Sequence, residues 1–147
     1  MNVLLDTNVL LDFMLDREPF VGYAEKVFEV AKNYEIQLFM SATTITDLYY
    51  IIRKEKNKDR ALSLIEDLLQ FVEVAAVDKA VIFHALYSEF SDFEDAVQEG
   101  AAKYANISII VTRNEADFTQ SDLDIYPPET FVKLYGKTRV TDVPLKK

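Results

Sequence analysis

The amino-acid sequence predicts an α/β domain in which helices cover both faces of a central parallel β-sheet. Short, almost continuously apolar runs alternate along the chain with longer segments whose apolar residues recur every three or four positions. These patterns are typical of buried parallel strands and of amphipathic helices. The chain has 147 residues, half of them hydrophobic, and only three glycines and four prolines. It therefore has the size of one domain, and its composition excludes a disordered or linker-rich protein.

The elements can be assigned in order. Residues 2–5 form the first apolar run, which Asp6 closes, and helical spacing follows over residues 7–15 and 19–34. Further apolar runs predict strands at residues 36–40, 71–77, 108–112 and 123–126. A helix capped by Ser41 or Thr43 ends in the charged stretch that begins at Arg53. Amphipathic patterns predict four more helices, at residues 61–69, 78–89, 92–104 and 128–135. The result is a parallel sheet of four to five strands with right-handed crossovers.

The predicted domain spans residues 1–135, and the polar residues 136–147 are expected to form a C-terminal tail. The apolar start of the chain lacks a basic segment and is interrupted by Asp6 and Asp12, unlike a signal peptide. No run reaches the roughly 18 uncharged apolar residues of a membrane span. With no cysteine in the chain, we expect a soluble protein of the cytoplasm.

Polar side chains follow two of the predicted strands. Asp6 ends the first strand, and the loop after the fourth carries Thr112, Asn114 and Asp117. Ligands of open parallel sheets bind outside the carboxyl ends of the strands, so both loops are expected to open at one edge. Each residue also has a structural alternative: Asp6 could cap the following helix, and the others could make ordinary turn contacts.

More carboxylates lie at the starts of predicted helices. Asp92 and Asp95 are three residues apart, which places them on one helical face beside Glu99, while Glu94 is expected to point elsewhere. Asp47 falls early in the helix after the second strand. The helix dipole favours acids at such positions, which is the alternative explanation. The single histidine, His84, lies in an apolar helical pattern and is expected to be packed rather than a ligand.

Carboxylates without cysteine or clustered histidine favour hard cations, and Mg²⁺ or Mn²⁺ suits a site that also binds substrate phosphate. Such an ion can generate a nucleophile from water and stabilise the leaving oxygen of an in-line displacement. The pattern therefore points to hydrolysis of phosphodiesters.

Four segments in this order resemble the PIN domains of VapC-like toxins. They are LLDTNVLLD, the acid in TTITDLYYIIRK, DFEDAVQEGAAKYANISIIVTRN and the closing EADF. The resemblance covers residues 1 to about 135, and the ordered set is far more specific than the Asp-Thr-Asn opening alone.

The resemblance implies a three-layer α/β/α fold, metal-dependent endonuclease activity on single-stranded RNA, a cognate antitoxin as partner and a homodimer. The family's metal-holding acids fall on Asp6, Asp47, Asp95 and Asp117. Thr7, Asn8, Thr112 and Asn114 would support them, with Asp92 as a further acid. One departure concerns Asp47, since the relatives usually carry the longer Glu there, and the shorter side chain could shift the ion or admit a water.

The net charge of −9 argues against binding a polyanion. Between residues 53 and 60, however, five basic residues outnumber two acidic ones, a local +3 that leaves −12 for the rest of the chain. This basic patch could steer a phosphate backbone, or could be a solvated helix end. It consists of Arg53, Lys54, Lys56, Lys58 and Arg60.

Two other functions are compatible with parts of the pattern. A phosphatase of the haloacid-dehalogenase type, or a receiver-type phosphoacceptor, would use Asp6 as nucleophile, but Asn8 stands where the dehalogenase pattern requires a second Asp. A catalytically weak or inactive module could keep the PIN fold and use its acidic cleft to bind a basic partner peptide or RNA. The charge of −9 and the short Asp47 favour this second alternative.

Overall fold

The computed structural model describes residues 1–145, with side chains described up to Gly136. Its centre is a sheet in the order β3-β2-β1-β4-β5, in which every neighbouring pair is parallel. The strands are β1 (Asn2–Leu5), β2 (Gln37–Ser41), β3 (Val72–Ala75), β4 (Ile109–Val111) and β5 (Asp124–Tyr126). The predicted parallel sheet is confirmed, with five strands.

The described residues also form seven α-helices, close to the segments that the sequence predicts. They are α1 (Thr7–Met14), α2 (Val21–Asn33), α3 (Ala42–Glu55), α4 (Lys58–Leu68), α5 (Lys79–Leu86), α6 (Phe93–Tyr104) and α7 (Pro128–Leu145). A short 3-10 helix (Glu115–Phe118) lies between β4 and β5. None of these helices is long and apolar enough to cross a membrane.

Two helices begin at residues other than the predicted ones. Helix α4 begins at Lys58 rather than at residue 61, because the side chain of Asn57 accepts a hydrogen bond from Arg60 N at 2.8 Å. Helix α2 begins at Val21, so Pro19 precedes it instead of lying in its first turn.

The last helix is longer than predicted. It continues to Leu145, whereas a helix ending at residue 135 and a tail over residues 136–147 were expected. Gly136 suggested an end, but a single glycine inside a helix costs only about 1 kcal/mol relative to alanine, and it is tolerated here. Residues 146 and 147 of the predicted tail lie outside the described part of the chain.

Alternate residues of the central strands point into two separate cores. Val3 and Leu5 of β1 pack with α1 to α4 and α7 on one face, while Leu4 packs with α5 and α6 on the other. The strands β2 and β4 divide their side chains in the same way. This produces the three-layer α/β/α arrangement.

The strand order creates a switch point at the centre of the sheet. The chain proceeds outward from β1 to β2 and β3 on one side, and from β4 to β5 on the other. At the carboxyl ends of β1 and β4 the following loops diverge and leave a crevice, which is the usual place for a ligand in such sheets. Leu5 pairs with Val111 there, so the next residues, Asp6 and Thr112, stand at its floor.

Candidate functional site

An open cleft of about 320 Å³ lies at this switch point. Three elements build it: the start of α1, the first two turns of α6, and the loop that leads from β4 into the 3-10 helix. The residues that line it are Asp6, Thr7, Asn8, Leu11, Asp92, Glu94, Asp95, Gln98, Asn114 and Asp117. The two loops that the sequence places at one edge therefore do meet.

Asp6 forms the floor of the cleft and is only 6% exposed. Although it occupies the cap position of α1, its side chain makes no capping hydrogen bond. Instead Thr112 Oγ1 donates to Oδ2 at 2.6 Å, Asn8 Nδ2 donates to Oδ2 at 3.3 Å, and Gln98 Nε2 donates to Oδ1 at 2.9 Å. The capping alternative is therefore excluded, since three donors orient the carboxylate into the cleft.

Gln98 is a site residue that the sequence analysis missed. Its side chain lines the cleft and is 4% exposed. While its Nε2 donates to Asp6, its buried Oε1 has no hydrogen-bond partner among the described residues. Leaving a buried acceptor unpaired costs about 1 to 3 kcal/mol, so such an atom in a native fold requires an explanation. Its position three residues after Asp95, on the same helical face, was the available signal.

The first turn of α6 supplies three carboxylates. Asp92 caps the helix by accepting a hydrogen bond from Asp95 N at 3.0 Å, as the structural alternative predicts, and it also lines the cleft. Glu94 and Asp95 follow it in the first turn. The expectation that Glu94 points elsewhere is wrong, because Glu94 lines the cleft together with Asp92 and Asp95.

The carboxylates perturb one another. Burial, together with the charges of Asp6, Asp92, Asp117 and Glu94, raises the pKa of Asp95 from its usual value of 3.8 to about 7. A hydrogen bond to Asp47 raises the pKa of Glu94, and burial and neighbouring acids act in the same direction. The acids therefore form one interacting cluster rather than separate helix caps.

Asp47 contacts this cluster from its rim. It is half-buried on α3, and its carboxyl group lies close enough to that of Glu94 to raise the pKa of Glu94, but it is not among the residues that line the cleft. Glu94, which the sequence analysis expected to point elsewhere, therefore lies between the short side chain of Asp47 and the cleft.

Glu99 does not join the cluster, contrary to the prediction that it lies beside Asp92 and Asp95. It is 3% exposed and faces away from the cleft, where its Oε1 lies 2.6 Å from His84 Nε2 and its Oε2 accepts from Ser121 Oγ at 2.7 Å. The predicted role of His84 as a packed residue is confirmed.

The polar residues expected to support the acids have different partners. Thr112 is fully buried and bonds Asp6, while its Oγ1 also accepts from Asn114 N at 3.0 Å. Thr7 Oγ1 lies 3.0 Å from Thr44 Oγ1, which connects α1 to α3. Asn114 and Asp117 line the outer wall of the cleft, and Asp117 is exposed.

Arg113 braces the cleft from outside. Its Nε donates to Asp12 Oδ2 at 2.6 Å, where Asp12 is 1% exposed, and its guanidinium lies 3.8 Å from the ring centroid of Phe20. Because Arg113 lies between Thr112 and Asn114, its ion pair with Asp12 holds the loop after β4 against α1.

The basic patch lies away from the cleft. Helix α3 starts at the carboxyl edge, where Ser41 caps it, and runs back along the sheet. At 1.5 Å per residue, Arg53 is about 9 Å beyond Asp47 along α3, and the patch continues from the last turn of α3 into the first turn of α4. Its five side chains are exposed. The structure therefore does not bring the patch together with the acids.

The oxygen atoms of the cleft determine which metal ion it could hold. Among the described residues, no group of three or more His, Asp or Glu side chains is arranged to hold one directly. Mg²⁺, however, commonly binds through only one or two carboxylates and keeps several waters. An all-oxygen cleft containing Asp6, Asp95, Asp117 and the unpaired Gln98 Oε1 is compatible with that mode of binding.

Comparison with known proteins gives a consistent result. Ribonuclease VapC1 from Aquifex aeolicus (strain VF5) is 28% identical over 139 residues, covering 91% of this chain and 95% of the relative. The fold is similar to VapBC2 from Rickettsia felis, solved with a DNA fragment from its promoter, at a TM-score of 0.67, with 18% identity and coverage of 86% and 98% of the two chains. It is also similar to a toxin–antitoxin complex from Klebsiella pneumoniae, at a TM-score of 0.66, with 20% identity and coverage of 86% and 97%.

A family model described as PIN domain matches residues 2–116. That span contains the floor of the cleft, the whole of α6 and the start of the loop after β4. The chain therefore belongs to the PIN domain family.

Proposed function

We propose that the protein is a metal-dependent endoribonuclease that hydrolyses phosphodiester bonds of single-stranded RNA. The observation that carries the proposal is the convergence of Asp6, Asp92, Glu94, Asp95 and Asp117 in one open cleft at the switch point of the sheet. The similarity to a relative named as a ribonuclease supports RNA as the substrate.

The residues in and around the cleft would have different roles in the reaction. Asp6, Asp95 and Asp117 would hold Mg²⁺ or Mn²⁺, which supplies charge neutralisation at the phosphate and activation of water. Asp47, held by Glu94 at the rim, would bind the ion or orient the attacking water. Thr112, Asn8 and Gln98 keep Asp6 aimed into the cleft, while Thr7, Asn114 and Asp92 shape its walls.

Its biological role is proposed to be that of a toxin held in check by a cognate antitoxin. The similarity to a structure described as a toxin–antitoxin complex supports this role. Both the antitoxin and RNA would be met in the cytoplasm. A small antitoxin-like reading frame beside the gene, and growth arrest on expression that its product relieves, are the expected observations.

We also propose a homodimer, with exposed apolar side chains on and just after α5 as the candidate contact. Phe83 is 44%, Leu86 57% and Tyr87 81% exposed. Light scattering after gel filtration should give twice the chain's mass of 16.9 kDa. Tyr87→Lys should reduce that mass, and a monomeric wild-type protein would contradict the dimer.

Cleavage of an unstructured RNA oligonucleotide tests the enzymatic proposal. We expect cleavage with Mn²⁺, none with EDTA, and a loss of at least a hundredfold for Asp6→Asn, because the floor carboxylate is lost. The same strand annealed to its complement should be resistant. Asp67→Asn, which changes an exposed carboxylate on α4, is the matched control and should cleave normally.

Two results would contradict the proposal. Cleavage that persists in EDTA or in Asp6→Asn would show that the acidic cleft is not the active site. Tight binding of a basic partner or RNA without any turnover would instead establish the alternative of a PIN-fold binding module.

A further inference from the structure

We propose that Gln98 is a functional residue of this cleft: its amide nitrogen positions Asp6, and its amide oxygen is an acceptor for a hydrated divalent cation. The inference rests on the metal-dependent function proposed above. It assigns a role to an uncharged residue of α6 in addition to the acids.

The orientation of the amide is fixed by its neighbour. Nε2 donates to Asp6 Oδ1 at 2.9 Å. The flipped amide would place its oxygen against a carboxylate oxygen, where neither atom can donate. Oε1 therefore has to point away from Asp6.

Nothing in the described protein satisfies that oxygen. The side chain is 4% exposed, and no donor of the described residues reaches Oε1. The side chain also lines the cleft, as do Asp95 and Asp117. Because the described protein offers no donor and the side chain lines the cleft, we place the partner of Oε1 on the cleft side.

The chemistry of the cleft selects that partner. A cluster of carboxylates attracts a cation, and a hard divalent ion retains several waters when it binds. Those waters are donors, and a neutral amide oxygen accepts from them without adding to the repulsion among the acids. Gln98 would thereby link the waters of the bound ion to the carboxylate of Asp6.

Mn²⁺ binding to the whole chain, measured by isothermal titration calorimetry, tests the inference without any cleavage assay. Gln98→Met has a similar length and flexibility but neither the donor nor the acceptor. We expect it to weaken Mn²⁺ binding tenfold to a hundredfold, the range found for residues that support metal ligands. Gln70→Leu is the control, because Gln70 is exposed just before β3, at the opposite edge of the sheet.

Thermal melting of the metal-free variants separates this role from a purely structural one. If Gln98 only fills space, Gln98→Met keeps wild-type Mn²⁺ affinity and melts at the same or a higher temperature, which would overturn the inference. If Gln98→Met does not fold, Gln98→Leu is measured in its place with the same expectations. Wild-type protein that binds no Mn²⁺ would overturn both this inference and the proposed function, whereas equal affinities of wild type and variant overturn this inference alone.

Discussion

The carboxyl group of Asp95 makes the stability of the metal-free protein depend on pH. Its pKa of about 7 in the folded protein, caused by burial and by four neighbouring acids, lies well above its usual value of 3.8. Between these two values the folded state binds more protons than the unfolded state. The free energy of unfolding of the metal-free protein therefore falls as the pH rises from about 4 to about 7. Above pH 7 the ionisation of Asp95 changes it little further.

We therefore expect Asp95→Asn to raise the melting temperature of the metal-free protein at pH 8 by several degrees, with a smaller gain at pH 5. A domain of this size gains about 3 °C per kcal/mol. The measurement is thermal melting of both proteins in EDTA from pH 5 to pH 8. Asp67→Asn, an exposed acid on α4, should follow the wild-type profile. A constant difference between wild type and Asp95→Asn at every pH would contradict the assignment.

Added Mn²⁺ should reverse the order of stability. The ion would stabilise the wild type by mass action, while Asp95→Asn would lose most of that gain. Thermal melting at pH 8 with and without Mn²⁺ measures it. If Mn²⁺ raised the melting temperature of both proteins equally, Asp95 would not take part in binding the ion.

Individual residues also show which parts of the site could be predicted from the sequence. The location of Asp6 and Thr112 follows from strand ends alone, because parallel strands bring their carboxyl ends to one edge. Glu94 and Glu99 were assigned to the wrong sides by the argument from helical spacing. Glu94 lines the cleft together with Asp92, Asp95 and Gln98, whereas Glu99, in the same turn as Gln98, contacts His84 of α5 instead.

Among the elements, the junction between α1 and the loop after β4 depends on one ion pair. Asp12 is 1% exposed and is paired by Arg113 at 2.6 Å. Removing one partner of a buried pair leaves an uncompensated charge and costs about 3 to 5 kcal/mol. We expect Arg113→Met to lose about 3 kcal/mol of unfolding free energy in urea, because Arg113 remains partly exposed.

The double variant checks the physical reason for that loss. Replacing both partners, as Arg113→Met with Asp12→Leu, removes the stranded carboxylate and should recover most of the stability. If the double variant is as unstable as Arg113→Met alone, the contact with Phe20 rather than the ion pair is what matters.

Helices α5 and α6 pack closely at Gly100. A Cβ built there would lie 2.9 Å from His84 Cδ2 and 3.3 Å from Val81 Cγ1, and Glu99 holds the His84 ring in place. Gly100→Ala should therefore destabilise the protein although alanine favours helices. The matched variant is Gly22→Ala in α2, where nothing lies within 4 Å, and a gain of up to about 1 kcal/mol is expected. Urea unfolding of both variants gives the comparison, and a stabilised Gly100→Ala would refute the close packing.

The elements themselves were largely predictable, and their ends less so. Continuous apolar runs located the five strands, which are buried on both faces, and apolar residues at helical spacing located the seven α-helices of the described residues. The short 3-10 helix was not predicted. The start of α4 is set by the capping side chain of Asn57, and α7 continues because it tolerates Gly136. The spacing of apolar residues does not reveal either effect.

For the whole molecule, charge is distributed unevenly between two ends. The acids gather at the carboxyl edge of the sheet, while the basic patch occupies the last turn of α3 and the start of α4. An RNA long enough to reach both would gain phosphate contacts that a short one lacks. Replacing Lys54, Lys56 and Lys58 by alanine should weaken binding of long RNA and reduce its salt slope by about 2, while cleavage of a short oligonucleotide stays unchanged.

Fluorescence anisotropy at several salt concentrations, in the Asp6→Asn background to prevent cleavage, measures this effect. A triple alanine variant at Lys26, Lys32 and Lys133, with the same change in charge on α2 and α7, is the control. Equal loss of binding in both triples would show that only net charge matters and that the patch is a solvated helix end.

The pairing of β1 with β4 has a consequence for synthesis on the ribosome. Leu5 and Val111 are neighbours in the sheet, and the cleft needs residues from the start of the chain, from α6 and from the loop before β5. A nascent chain therefore carries no assembled cleft until most of it has emerged. Translation that stops early would release fragments with Asp6 but without its partners in the cleft, so the proposed nuclease activity would require synthesis at least as far as Asp117.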